Sequence, residues 1–152
     1  MTTQIGLSAP LLPVTGSFVL PFAVYHSLLS WRVVSNRLAD EHYLGDNSTK
    51  ESSGSQKTNK LFRASRCHQN FIENVPLAFI LAATAELNGG NRSYLTAALT
   101  SLFALRVAHS EFGLLKEGGM GLGRPVGYFG TIGIQLGLAS YAGYLVKSYW
   151  GL

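Results

Sequence analysis

Cysteine is all but missing from this chain: Cys67 stands alone, so no disulfide can form within it and a stapled secreted scaffold is excluded. Charge is scarce too. Only 13% of residues are charged against 47% hydrophobic, at the apolar edge of what soluble domains use. From Met1 to Trp31 there is no Asp, Glu, Lys or Arg, and Pro125 to Val146 is equally free of them. Both runs are long enough to cross a hydrocarbon core, which takes about 20 apolar residues. The first run lacks the basic start of a signal peptide, and we read it as retained. A basic stripe is also absent. Seven of the twelve Lys and Arg crowd between Arg32 and Arg66, so the net charge of +4 does not describe a nucleic-acid face, and no nucleic-acid partner is expected. The glycines of "GGMGLG" follow no strand, which excludes a nucleotide-binding loop. No Cys, His and carboxylate cluster has ligand spacing, so no metal site is expected, and His68 and Cys67 read as packing residues.

Four hydrophobic segments are present, at about residues 11–34, 63–87, 93–115 and 124–147. In lipid every backbone polar group must be paired within its own segment, so the segments predict helices. The expected architecture is all-α: one membrane domain over residues 1–152, a left-handed four-helix transmembrane bundle. The stretch "LGDNSTKESSGSQKTNK", Leu44 to Lys60, predicts a solvated connector with too little apolar surface to fold alone. Lys and Arg in and beside the first and third loops outnumber those at the other end nine to two, which places those loops in the cytoplasm. Tyr141, Tyr144, Tyr149 and Trp150 suit an interfacial aromatic belt.

The polar residues inside these segments are patterned. Arg66, Asn70 and Glu73 share one helix face at spacing i, i+4, i+7; Arg106 and His109 are one turn apart with Glu111 nearby; Arg124 and Tyr128 are one turn apart at the start of the fourth segment. A charge at mid-bilayer costs on the order of 2.5–3.5 kcal/mol, so such groups face a bundle interior or a wet cavity. Any one of them alone also fits an interfacial ion pair or a snorkelling arginine. Three helices aiming polar groups at one cytoplasmic zone carry the functional reading. Arginines bind carboxylates by paired hydrogen bonds, Glu and Asn suit an ammonium or an amide, and a guanidinium beside a thiol favours the thiolate. A ligand with two carboxylates, an amine and a thiol matches that inventory.

The strings "RCHQNFIENVP", "ELNG", "RVAH" and "GRPVGY" resemble the MAPEG family, the membrane-associated proteins of eicosanoid and glutathione metabolism, over about Phe62 to Val146. The first segment matches only in character. "ELNG" and "GRPVG" look more like the bacterial and fungal branch, or a microsomal glutathione transferase-like member, than like the animal synthases. The resemblance implies a homotrimer that binds glutathione between neighbouring subunits near the cytoplasmic side. It assigns Arg66, Asn70, Glu73, Arg106, His109 and Tyr128 to the glutathione site and Arg124 to stabilising the thiolate. Two departures weaken an eicosanoid assignment: Gln69 replaces an arginine of the prostaglandin synthase, and Gly113 replaces a ligand-contacting tyrosine of the synthases. The implied function is a glutathione-dependent transferase or peroxidase acting on a lipophilic electrophile from the bilayer. The alternative is a non-catalytic lipid-binding or scaffold protein on the same fold, as the family's lipoxygenase-activating protein is. A small transporter is disfavoured by the lack of an internal repeat. The expected location is a multi-pass integral membrane protein, of the endoplasmic reticulum or another endomembrane in a eukaryote, or of the inner membrane in a bacterium.

Overall fold

The computed structural model describes residues 10–40, 56–116 and 121–151. Within them the chain is helical, and no strand occurs among the described residues. Helix α1 spans Pro13–Asp40, α2 Gln56–Leu87 and α3 Arg92–His109; a single π-helical turn, Ser110–Leu114, follows, then α4 Gly123–Leu145 and a short 3₁₀ turn, Lys147–Trp150. Helix α1 packs mainly on α2, α3 on α4, and α2 on α4.

Two boundaries differ from the sequence reading. Helix α2 begins at Gln56, seven residues before the predicted start, so residues 56–60 of the expected connector are helical. Gln, Lys and Thr are acceptable helix residues, and once a helix is nucleated each further turn is gained cheaply. The rest of that connector, residues 44–55, lies outside the described residues. Helix α1 runs on to Asp40, past the predicted end at 34, through a polar last turn that carries Arg37, a favourable residue near a helix C-terminus. Among the described residues, one helix segment, Pro13–Ala39, is by itself long and apolar enough to cross a membrane. The other three are diluted: α2 by its polar first half, α3 by its 18-residue length, Arg106 and His109, and α4 by Gln135 and its glycines.

Aromatic rings fill the centre. Phe22 of α1 meets Phe79 of α2 and Phe103 of α3 edge-on, with centroids 4.9 and 5.1 Å apart. Tyr25 packs on Phe71 and Phe103 in the same way. Such edge-to-face pairs add about 0.5–1.5 kcal/mol each beyond area burial. Leu29, Leu95, Leu99, Leu102 and Cys67 complete the core. Ala78, Ala82 and Ala85 are fully buried along one face of α2, where small side chains let neighbouring helices approach closely. The outward faces are apolar as well: Leu20, Val24, Trp31, Ile80, Phe129 and Leu136 are all more than half exposed.

Polar side chains fasten the end remote from the predicted site. Glu86, in the last turn of α2, caps α1: its carboxylate accepts from Val14 N at 2.7 Å and Thr15 N at 2.8 Å. These are charge-assisted bonds at a helix N-terminus, where a negative group is favoured. Glu86→Ala is expected to cost about 2–3 kcal/mol, because it strands two amides that no longer have an acceptor. Denaturant unfolding in detergent micelles measures this, and an unchanged midpoint would assign the cap no weight. After α2 the chain turns through Gly89, whose φ of +80° suits glycine. Asn91 then caps α3 by accepting from Ser93 N and Tyr94 N, and its own N–H donates to Tyr141 Oη of α4 at 2.8 Å.

Candidate functional site

The close approach of α3 and α4 organises the opposite end. Gly123, Gly127 and Gly130 recur at i, i+4 and i+7 on α4 and face α3. A Cβ at Gly127 would stand 2.4 Å from His109 Cβ and 2.8 Å from Leu105 O; one at Gly123 would stand 2.2 Å from Ala108 O. The absence of these side chains lets the two backbones touch.

Two buried side chains exploit that contact. Arg106, 2% exposed, donates from one terminal nitrogen to Asn70 Oδ1 of α2 at 2.6 Å and from the other to Gly127 O of α4 at 2.5 Å. Its Nε is buried and has no hydrogen-bond partner among the described residues. His109 Nδ1 lies 2.9 Å from Arg124 O. A carbonyl only accepts, so Nδ1 carries the proton. Arg106 therefore ties α2, α3 and α4 together, and His109 fixes the first turn of α4.

Beyond His109 the helix widens into the π turn, closed by Leu115 N donating to Ser110 O. Such turns often mark functional sites. This one swings Glu111 toward α1, where it accepts from Arg32 at 2.5 Å and from Tyr25 Oη at 3.1 Å. Gly113 faces the other way, against α4. A Cβ there would fall 2.6 Å from Arg124 N and 2.9 Å from its Cα, so no side chain fits without displacing the start of α4. Glycine at position 113 is thus a packing requirement of this backbone.

Between α2, the π turn and α4 lies a cleft of about 390 Å³. Arg66, Gln69, Asn70 and Glu73 line it from α2, His109 and Leu114 from α3 and the π turn, and Arg124, Pro125 and Tyr128 from α4. The volume falls in the range of small-molecule sites, roughly 300–1,000 Å³. Along the α2 wall the side chains are linked: Arg66 donates to Gln69 Oε1 at 3.4 Å, and Gln69 Nε2 donates to Glu73 Oε1 at 3.0 Å. Arg66, Glu73, Arg124 and Tyr128 are exposed in the single chain. The first turn of α4 adds the positive end of a helix dipole, with no side-chain cap to neutralise it.

Six of the seven residues singled out from the sequence, Arg66, Asn70, Glu73, His109, Arg124 and Tyr128, therefore line one cleft, and Arg106 does not. It sits behind the wall and reaches the cleft through Asn70. Gln69, Leu114 and Pro125 were not singled out as site residues but line it. Gln69 sits one residue before Asn70 and four before Glu73, a spacing that could have flagged it. Leu114 is placed by the π turn, which leaves no sequence signature. A second hollow, about 220 Å³ between α3 and α4 at the far end, is lined by residues such as Ile134, Leu138 and Tyr141 and carries no charge.

The lining offers the guanidinium groups of Arg66 and Arg124 to negative charge, Glu73 as an acceptor for an ammonium, and Asn70 as an amide with Arg106 already on its oxygen. In comparison with known families, the model of the MAPEG family matches residues 16–144. No curated protein matches the chain.

Proposed function

The chain belongs to the MAPEG family, and on that premise we propose that it is a glutathione-dependent membrane enzyme, a transferase or peroxidase acting on lipophilic electrophiles. The observation that carries this reading is the convergence of Arg66, Asn70, Glu73, His109, Arg124 and Tyr128 on one cleft. Glutathione, when bound, would supply a thiol sulfur that attacks an electrophilic carbon or, with a second glutathione to form the disulfide, reduces a peroxide to an alcohol and water.

The protein's part is to hold that thiol and favour its ionised form. Arg66 takes a carboxylate through its planar fork. Glu73 receives the ammonium, and Gln69 holds the Glu73 carboxylate in place. Arg106 acts through Asn70: with Asn70 Oδ1 occupied, the amide nitrogen is the end left to meet the ligand. Arg124 places a permanent positive charge where the sulfur becomes negative, reinforced by the α4 N-terminus. Tyr128, on the same face one turn on, helps place the sulfur. His109 serves by anchoring the Arg124 backbone.

The exposed Arg66, Glu73, Arg124 and Tyr128 and the apolar outer faces support a homotrimer in which a neighbouring subunit closes the cleft. The same apolar faces support a multi-pass bundle in a lipid bilayer, in which α2, α3 and α4 shelter each other's polar residues from lipid. A second reading is a non-catalytic protein on the same fold. It has one observation in its favour: Arg106 spends its guanidinium on Asn70 and the α4 backbone and does not line the cleft.

Calorimetric titration with glutathione of detergent-purified wild type beside Glu73→Gln separates the two. The enzyme reading predicts binding at millimolar concentrations or below, weakened at least about fivefold in the variant by the loss of one charged partner. Equal heats in both proteins, or none, would favour the non-catalytic reading.

A further inference from the structure

Helices α1 and α2 bring together two imidazoles that the cleft does not use. His26 and His68 are 42 residues apart in the chain, yet their Nε2 atoms approach to 3.2 Å. The rings lie 5.0 Å apart between centroids with their planes tilted by 39°. His26 also lies beside the buried ring of Phe71, 6.0 Å between centroids, which restrains its orientation. Both imidazoles are half-buried in the single chain.

Two neutral imidazoles can share one hydrogen bond, but 3.2 Å is the outer edge of normal N–H bond lengths, about 2.7–3.2 Å. The same separation suits a shared metal ion. With metal–nitrogen bonds of about 2.0–2.1 Å, two ligands at a tetrahedral angle stand about 3.3 Å apart. The observed spacing is within a few tenths of an ångström of that value.

We propose that His26 and His68 form a two-imidazole site for a divalent first-row transition cation, bridging α1 to α2. Neutral imidazole favours zinc, nickel and copper over magnesium and calcium. Among the described residues no group of three His, Cys, Asp or Glu could hold an ion, so water completes the coordination shell. Two protein ligands make an exchangeable site rather than the four-ligand closed kind that a fold depends on. Arg37 acts on His68 electrostatically, and its positive charge opposes the cation, which keeps the affinity moderate. Because the ion binds the folded pair of helices, it stabilises their packing by mass action.

The test uses the full chain, purified through a histidine-free tag into detergent micelles, stripped with a chelator and titrated with Zn²⁺ by calorimetry. One ion per chain, bound in the micromolar range with no heat from Mg²⁺, is the expected result. His26→Gln and His68→Gln should each weaken Zn²⁺ binding at least about tenfold, since losing a ligand costs no less than losing an outer-shell partner, about 10–100-fold. A nitrogen-15 spectrum of wild type, independent of how the variants fold, should show the Nε2 resonances of these two histidines moving on Zn²⁺ addition. Absence of micromolar binding, equal affinity in both variants, or resonance shifts confined to His42 and His109 would overturn the proposal.

Discussion

Replacing Arg124 by alanine is expected to lower the rate of glutathione conjugation about 10²–10³-fold while leaving the fold intact. The magnitude is that of deleting one preorganised group aimed at developing negative charge in a site of reduced dielectric. The bond that joins α3 to α4 here uses the backbone and survives the change: His109 binds Arg124 O, which alanine retains. The Arg124 side chain, by contrast, is exposed and lines the cleft. Arg124→Lys should fall between the two, keeping the charge but losing the planar fork. Steady-state turnover of a chromogenic electrophile in micelles, with thermal unfolding of the same samples, checks both halves. Wild-type turnover in Arg124→Ala would remove the thiolate role from this residue.

Gly127→Ala should be strongly destabilising, at about 3 kcal/mol or more. Overpacking a filled site usually costs about 1–3 kcal/mol, when a flexible side chain can yield. Here the added methyl meets His109 Cβ at 2.4 Å and the Leu105 carbonyl at 2.8 Å, both at or next to backbone. Relief requires α3 and α4 to separate, and separation pulls Arg106 from Gly127 O and His109 from Arg124 O. Loss of acceptors for a buried guanidinium adds its own penalty. Gly133→Ala is the matched control, because a Cβ there meets nothing within 4 Å in the single chain. Its unfolding midpoint should hold or rise slightly, since alanine is the better helix former by about 1 kcal/mol. Equal midpoints for the two variants would show that the α3–α4 contact does not organise the site.

What could be read from the sequence followed from periodicity and from solvation. Arg66, Asn70 and Glu73 share a face because a helix repeats every 3.6 residues, and a helix was required wherever apolar runs had to pair their own backbone. The convergence of three helices was legible because lipid penalises scattered charge. Depth within the site was not. Nothing in the spacing of Arg106 and His109 distinguishes a side chain that reaches a ligand from one that reaches a neighbouring backbone. That difference is set by the glycines at 123 and 127, which bring α4 within hydrogen-bonding range. Contacts between distant segments were equally hidden. Glu86 on the α1 N-terminus, Arg32 on Glu111 and His26 on His68 join residues 71, 79 and 42 positions apart. The π turn is a response to packing and leaves no sequence signature, although it decides that Glu111 leaves the cleft and Leu114 enters it.

The most direct test of the central claim is an experimental structure of the protein in lipid nanodiscs with glutathione present. The account predicts the tripeptide in the cleft between α2 and α4, a carboxylate on Arg66, its amine toward Glu73 and its sulfur nearest Arg124 and Tyr128. Glutathione bound elsewhere, or a lipid filling the cleft while glutathione stays in solution, would contradict it.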